Sequence, residues 1–233
     1  MLIQIIKKII GIRLIANKLI VISLKFHNFL YQFSSILAIE LNNGVHPKHR
    51  IIRYKEWFLS EIFKDDVVLD IGCNTGTLAN VVSDKALFVY GIDINSEHIE
   101  QAKKKFNKNN NVEFICADAT TIDYLNYITT TVDVILLSNV LEHIEDRIDF
   151  LNKILNQVNW SGEPRLLIRV PMIDRDWLTI YKKELNIEYR LDRTHYTEYS
   201  YSSLKNELNN ACIYISHYKI QWGEIYAVCK GRK

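Results

Sequence analysis

From residue 51 onward the sequence alternates short, nearly continuous apolar runs with longer stretches of helical period. The runs are "VVLDIG" (67–72), "LFVYGIDI" (87–94), "VEFICAD" (112–118), "VDVILLSN" (132–139) and "RLLIRVP" (165–171). A strand that is apolar on both faces must be covered on both, and helices do this in a parallel sheet. Helical period is read at 53–62, 76–84, 96–108, 121–127, 145–158 and 200–211, with Ser96 as the expected N-cap of the third. This order predicts a doubly wound α/β domain. Near the end, "CIYISHYKIQW" (212–222) and "EIYAVCKG" (224–231) flank Gly223 too closely for a helical crossover, so they pair as an antiparallel hairpin or with another strand between them.

The first forty residues differ in kind. They are densely apolar, yet Lys7, Lys8, Arg13, Lys18 and Lys25 interrupt them, so no apolar run approaches the ~18–20 residues that cross a bilayer. The cations fall inside the apolar stretch and no small-residue cleavage site follows, which argues against a secretory signal. Lys7, Lys18 and Lys25 return to nearly one side of a helix, with Gln4 and Gln32 close by. Two readings compete: a helix lying on an anionic membrane surface, or one packed on the rest of the protein or in a homodimer. "NNGVHPKHR" (42–50) gathers turn formers and marks the boundary, giving an N-terminal helical extension over 1–45 and a main domain over 46–233.

An apolar content of 48% suffices for one packed domain with an appendage and excludes a disordered chain. Twenty-nine basic residues nearly balance 27 acidic ones, so no nucleic-acid partner is expected. Cys73, Cys116, Cys212 and Cys229 form no CxxC pair, so neither a disulfide framework nor a metal is expected; they read as reduced, mostly buried residues of a cytoplasmic protein.

The chemistry lies in "VVLDIGCNTGTLANVV" (67–82), where a strand breaks into small residues before a helix. Ligands of open parallel sheets bind outside the carboxyl ends of the strands, and Gly72, Asn74 and Gly76 tolerate the dihedrals of a close backbone approach. Counting GxGxxG from Gly72 places Asn74 and Thr77 at the second and third glycine positions, so the dinucleotide fingerprint fails. No Lys-Ser/Thr pair follows Gly76, so a phosphate loop fails too.

"VLDIGCNTGTLA", "VYGIDIN", "ICADAT" and "VILLSNVLEHIED" resemble, in order and interval, the successive motifs of class I S-adenosylmethionine-dependent methyltransferases, over about residues 51–230. The resemblance implies a Rossmann-like, seven-stranded, mostly parallel sheet with an antiparallel C-terminal hairpin. It places Asp70, Gly72, Cys73, Asn74 and Gly76 around the methionine part of S-adenosylmethionine, Asp93 on the ribose hydroxyls and Ile94 against the adenine. Asp118 and Ala119 would read the adenine edge, and Ser138 and Asn139 would stand beside the transferred methyl. Asn74 departs from the glycine most common in that family.

His195, in "YRLDRTHYTEYS", is the first candidate general base, and His143, after the fourth strand, is the second. A long segment after the fifth strand carries Trp177, Tyr181 and Arg193, and with Tyr196 it suits an acceptor pocket. "DRTHYTEYS" is similar to a segment of small-molecule and glycan-acting members. Arg50 and Tyr54 are further candidates to touch the cofactor. The expected activity is O-methylation of a saccharide or other small molecule; the alternatives are a lipid or quinone at the inner face of a membrane, or a non-catalytic cofactor-binding scaffold.

Overall fold

The structure is a computed structural model that describes residues 2–232, with side chains from residue 12 onward, so Gln4, Lys7 and Lys8 lie outside the described side chains. Among the described residues no helix is long and apolar enough to cross a membrane. Two compact units are present, Met1–Ile52 with Asp176–Arg193, and Arg53–Arg175 with Thr194–Lys233.

The larger unit contains α3 (Tyr54–Glu61), β1 (Val67–Ile71), α4 (Thr77–Ser83), β2 (Phe88–Asp93), α5 (Ser96–Lys105), β3 (Val112–Cys116), β4 (Val134–Ser138), α6 (Arg147–Gln157), β5 (Arg165–Pro171), α8 (Tyr201–Asn210), β6 (Ile213–Gln221) and β7 (Glu224–Gly231). The seven strands form one sheet in the order β3-β2-β1-β4-β5-β7-β6. β1 pairs in parallel with both β2 and β4, with Ile71 opposite Ile92 and Leu137. The carboxyl ends of three strands therefore finish at one level where the strand order reverses, which is where such a sheet opens a crevice. β7 lies antiparallel between β5 and β6, so the predicted hairpin forms directly.

The strands' period-two alternation divides the core. Val67, Leu69 and Ile71 join Ile135, Leu137, Ile168 and the apolar faces of α6 and α8 in one cluster. On the other face α4 packs on β2 and α5 on β3, and Trp57 of α3 meets Tyr226 edge to face at 5.1 Å. Burying a side chain of this size contributes about 1.5–3 kcal/mol, so these two layers fix where the strand ends stand.

Three local expectations are corrected. Asn95, not Ser96, caps α5, its side chain accepting the N–H groups of Glu97 and His98 at 2.9 and 3.2 Å. The helix expected over 121–127 is a single 3-10 turn, Tyr124–Asn126, set by Asp123. Of the four cysteines, Cys116 and Cys212 are exposed, and only Cys73 and Cys229 are buried.

The smaller unit contains α1 (Leu2–Leu41), α2 (Lys48–Ile52) and α7 (Trp177–Glu184). The Asn28 side chain donates to the Glu188 carbonyl at 2.7 Å, and Lys182 Nζ lies 3.2 Å from His27 Nδ1, fastening α1 to the 176–193 segment. Asp176 caps α7 by accepting the Thr179 N–H at 2.7 Å.

Candidate functional site

The crevice at the strand ends is a cleft of about 1060 Å³ lined wholly by the larger unit. Its floor is the loop between β1 and α4. Gly72, Asn74 and Gly76 all have φ between 51° and 72°, the left-handed region that glycine and asparagine adopt at least cost. What approaches the glycines closely is the chain itself. A Cβ on Gly72 would stand 2.7 Å from Val140 Cγ2, and one on Gly76 would stand 2.5 Å from the Phe114 ring.

Asp93, at the tip of β2, ties that loop to the next. One carboxylate oxygen accepts the Asn74 N–H at 2.8 Å and the other accepts the Asn95 N–H at 2.9 Å. His98 Nδ1 is 3.8 Å away. Ile94 beside it is 70% exposed and lines the cleft. Across the cleft Asp118 folds back on Thr120, accepting its N–H and hydroxyl at 2.8 and 2.7 Å, while the Ala119 carbonyl takes the Tyr124 hydroxyl at 2.8 Å.

Not every residue singled out from the sequence reaches the cleft. Gly72, Asn74, Asp93, Ile94, Asp118, Ala119, Asn139, His143 and Tyr196 line it; Asp70, Cys73, Gly76, Ser138 and His195 do not. Asp70 is 1% exposed beneath the loop, and its Oδ2 has no hydrogen-bond partner among the described residues. Burial, followed by the nearby Asp93 charge, pushes its pKa up to about 8. The Cys73 thiol is likewise buried, which raises its pKa. Trp177, Tyr181 and Arg193 belong to the smaller unit, as does Arg50, whereas Tyr54 is in the larger one under the Arg169 guanidinium, 4.1 Å from its ring centre.

The wall after β4 is the most chemically loaded part. Asn139 has φ 58° and a buried Oδ1 without a partner among the described residues, and a 3-10 turn over Leu141–His143 follows. The Tyr196 N–H donates to the Glu142 carbonyl at 2.7 Å, which docks the 194–199 segment on this turn. The His143 and His195 rings therefore meet edge to face, with centroids 4.7 Å apart. Thr194 Oγ1 lies 3.0 Å from His143 Nδ1. His195, 6% exposed, has its Nδ1 3.0 Å from Glu198 Oε1, and Glu198 in turn is paired with Arg175. Ligand atoms of Glu142, His143 and His195 lie within 4.8 Å of one another, a set able to hold a cation. Both Glu142 oxygens are buried without a partner among the described residues, and burial pushes this carboxyl up to about 8.

Sequence reasoning missed Glu142 and a buried pair behind it. Arg169 on β5 donates to both oxygens of Glu224 on β7 at 2.7 and 2.8 Å, and to Ser138 Oγ at 3.1 Å. The available signal was Arg169 within the apolar run of β5 and Glu224 at the head of the apolar run of β7, since such charges are buried only when paired.

The cleft's charge is one-sided. Asp93, Asp118, Glu145, Asp146 and Asp149 line it against one lysine, Lys153, whose Nζ is held by the Thr120 carbonyl at 2.8 Å. Such walls favour a cationic ligand and disfavour a diphosphate.

Residues 69–162 match the family described as "Methyltransferase domain". An uncharacterized RNA methyltransferase of Clostridium tetani is 45% identical over 60 residues, 25% of this chain and 13% of that protein. The mitochondrial ubiquinone biosynthesis O-methyltransferase of Schizosaccharomyces pombe is 30% identical over 115 residues, 45% of this chain and 40% of that protein. The chain thus spans less than half the length of either curated relative. Among solved structures, magnesium protoporphyrin IX methyltransferase from Synechocystis PCC 6803, with bound SAH, superposes with a TM-score of 0.59 at 16% identity, covering 79% of this chain and 83% of that one. The fold of the larger unit is that of class I S-adenosylmethionine-dependent methyltransferases.

Proposed function

We propose that this chain transfers the methyl group of S-adenosylmethionine to a hydroxyl of a small-molecule acceptor. The observation that carries this reading is Asp93, placed at the tip of β2 between Asn74 and Ile94 in a cleft whose walls hold five carboxylates. A donor bearing a sulfonium and an ammonium fits that field, and the Asn139 Oδ1, without a partner among the described residues, adds an acceptor group at the strand end.

In this reading Asp93 and Ile94 hold the nucleoside, with Asp118 and Ala119 on its other side. The bound sulfonium supplies the electrophilic carbon and the leaving group together. The protein's part is to align the acceptor oxygen, which can contribute about 7–11 kcal/mol, and to take its proton. His143 lines the cleft and is the base in this proposal; His195, set behind it and held by Glu198, positions its ring.

For the acceptor, a saccharide hydroxyl is the reading supported by the resemblance of "DRTHYTEYS", whose Tyr196 lines the cleft, and a small molecule of ubiquinone biosynthesis is the one favoured by the Schizosaccharomyces pombe relative. Calorimetry with S-adenosylmethionine and its demethylated product, followed by label transfer to panels of polyols and catechols, tests the proposal. Cofactor binding with label in one panel supports it; absence of binding overturns it.

A further inference from the structure

Within the smaller unit, α1 carries a second pattern that its own packing leaves unused. Ile12, Leu19, Phe26 and Phe33 recur every seven residues, and Ile15, Ile22, Phe29 and Ile36 recur every seven between them. Spacings alternating between three and four over more than three heptads are the a and d positions of a coiled coil. All eight side chains are between 49% and 64% exposed. The unit's internal contacts take the opposite side of the helix: Leu24, 3% exposed, stands at the position furthest from this seam, and Asn28 and His27 flank it with their bonds to Glu188 and Lys182.

We infer that this seam is a dimerisation surface whose occupant is the α1 seam of a second copy, aligned parallel and in register. The area is right for that partner. Eight half-exposed large side chains offer about 100 Å² each, on the order of the ~800 Å² per partner that a stable interface buries. Phe26, Phe29 and Phe33 already stack along the seam with centroids 6.3 and 6.2 Å apart, which gives it a continuous aromatic centre.

Charge sets the direction. Lys18, Lys25 and Gln32 occupy one flank of the seam, and Ser23, Leu30 and Leu37 occupy the other. In a parallel pair the first flank of one copy lies over the second flank of the other, so the Lys25 stem covers Leu30 and the flanks of Lys18 and Lys25 stay apart. An antiparallel pair would bring the lysine flanks together. A lipid surface is the lesser fit, because Lys18 and Lys25 border one edge of the stripe while Ser23, Leu30 and Leu37 border the other, and the seven-residue period has no counterpart in a fluid interface.

The test uses the full chain. Sedimentation velocity in detergent-free buffer is expected to give a dimer, and an Ile22→Glu, Phe29→Glu double variant should associate ~100-fold more weakly while keeping its far-ultraviolet circular dichroism. Should that variant lose its fold, Ile15→Cys in a Cys116→Ser, Cys212→Ser background gives an independent readout. In register it oxidises to a disulfide-linked dimer, whereas an antiparallel pair sets the two sulfurs far apart. A monomeric wild type that sediments only with phosphatidylglycerol vesicles, or a dimer without the crosslink, overturns the inference.

Discussion

The His143 and His195 rings meet edge to face at 80°, and only His143 lines the cleft. The pair is the exposed end of a buried series that runs through Glu198 to Arg175, whose guanidinium also donates to the Met172 carbonyl at 2.7 Å. A ring that touches the cleft and a ring that only orients it should respond differently to substitution.

His143→Ala is expected to lower kcat by ~10²–10⁴ with cofactor affinity unchanged, the usual contribution of a positioned base. His195→Gln should cost about tenfold and shift the acidic limb of the pH–rate profile, because it changes the setting of the base and not its presence. Equal losses with unshifted profiles would remove the distinction.

Asp93→Ala removes the acceptor of the Asn74 and Asn95 N–H groups together with the proposed ribose contact. Hydrogen bonds to a charged group contribute about 1.5–3 kcal/mol, so the Kd for the demethylated cofactor should rise about 10- to 100-fold by calorimetry. An unchanged Kd would contradict the cofactor geometry.

Asp70 carries a pH signature. Its folded pKa, near 8, lies above the ordinary carboxylate value of 3.8. Between those values the unfolded chain gives up the proton and the folded chain keeps it, so this group's contribution to stability falls as pH rises from about 4 to about 8 and is level outside that window. Asp70→Asn should flatten that slope and recover up to about 4 kcal/mol at pH 7, read from urea unfolding at several pH values.

Gly76→Ala places a methyl 2.5 Å from the Phe114 ring on a backbone with φ 72°. Strain and overpacking together should cost about 2–4 kcal/mol and lower Tm accordingly. Gly162→Ala, which meets nothing within 4 Å, serves as the control and should leave Tm unchanged.

The sheet was legible because two-sided burial leaves its mark within each strand, and the β1 loop was legible because its small residues are contiguous. α7 was not read, because Trp177, Tyr181 and the lysines that follow, Lys182 and Lys183, have the composition of a binding loop, and the Asp176 cap shows only in the hydrogen bond it makes. Two adjacent cap formers, Asn95 and Ser96, cannot be ranked without the backbone angles. The exchange of His143 for His195 at the cleft depends on the Tyr196-to-Glu142 bond, which joins segments more than fifty residues apart. Gly72 and Gly76 announced a close neighbour, but sequence spacing could not say that Val140 and Phe114 fill that space.

The Arg169–Glu224 pair has a consequence for how the chain is made. The arginine leaves the ribosome 55 residues before its partner, and β6 emerges before β7, the strand that must slip between it and β5. A nascent chain halted after β6 holds the Arg169 guanidinium without its carboxylate on an open β5 edge, and β6 has not yet met β7, its native partner. The β5 side of the sheet is therefore closed only once the last strand of the chain is in place.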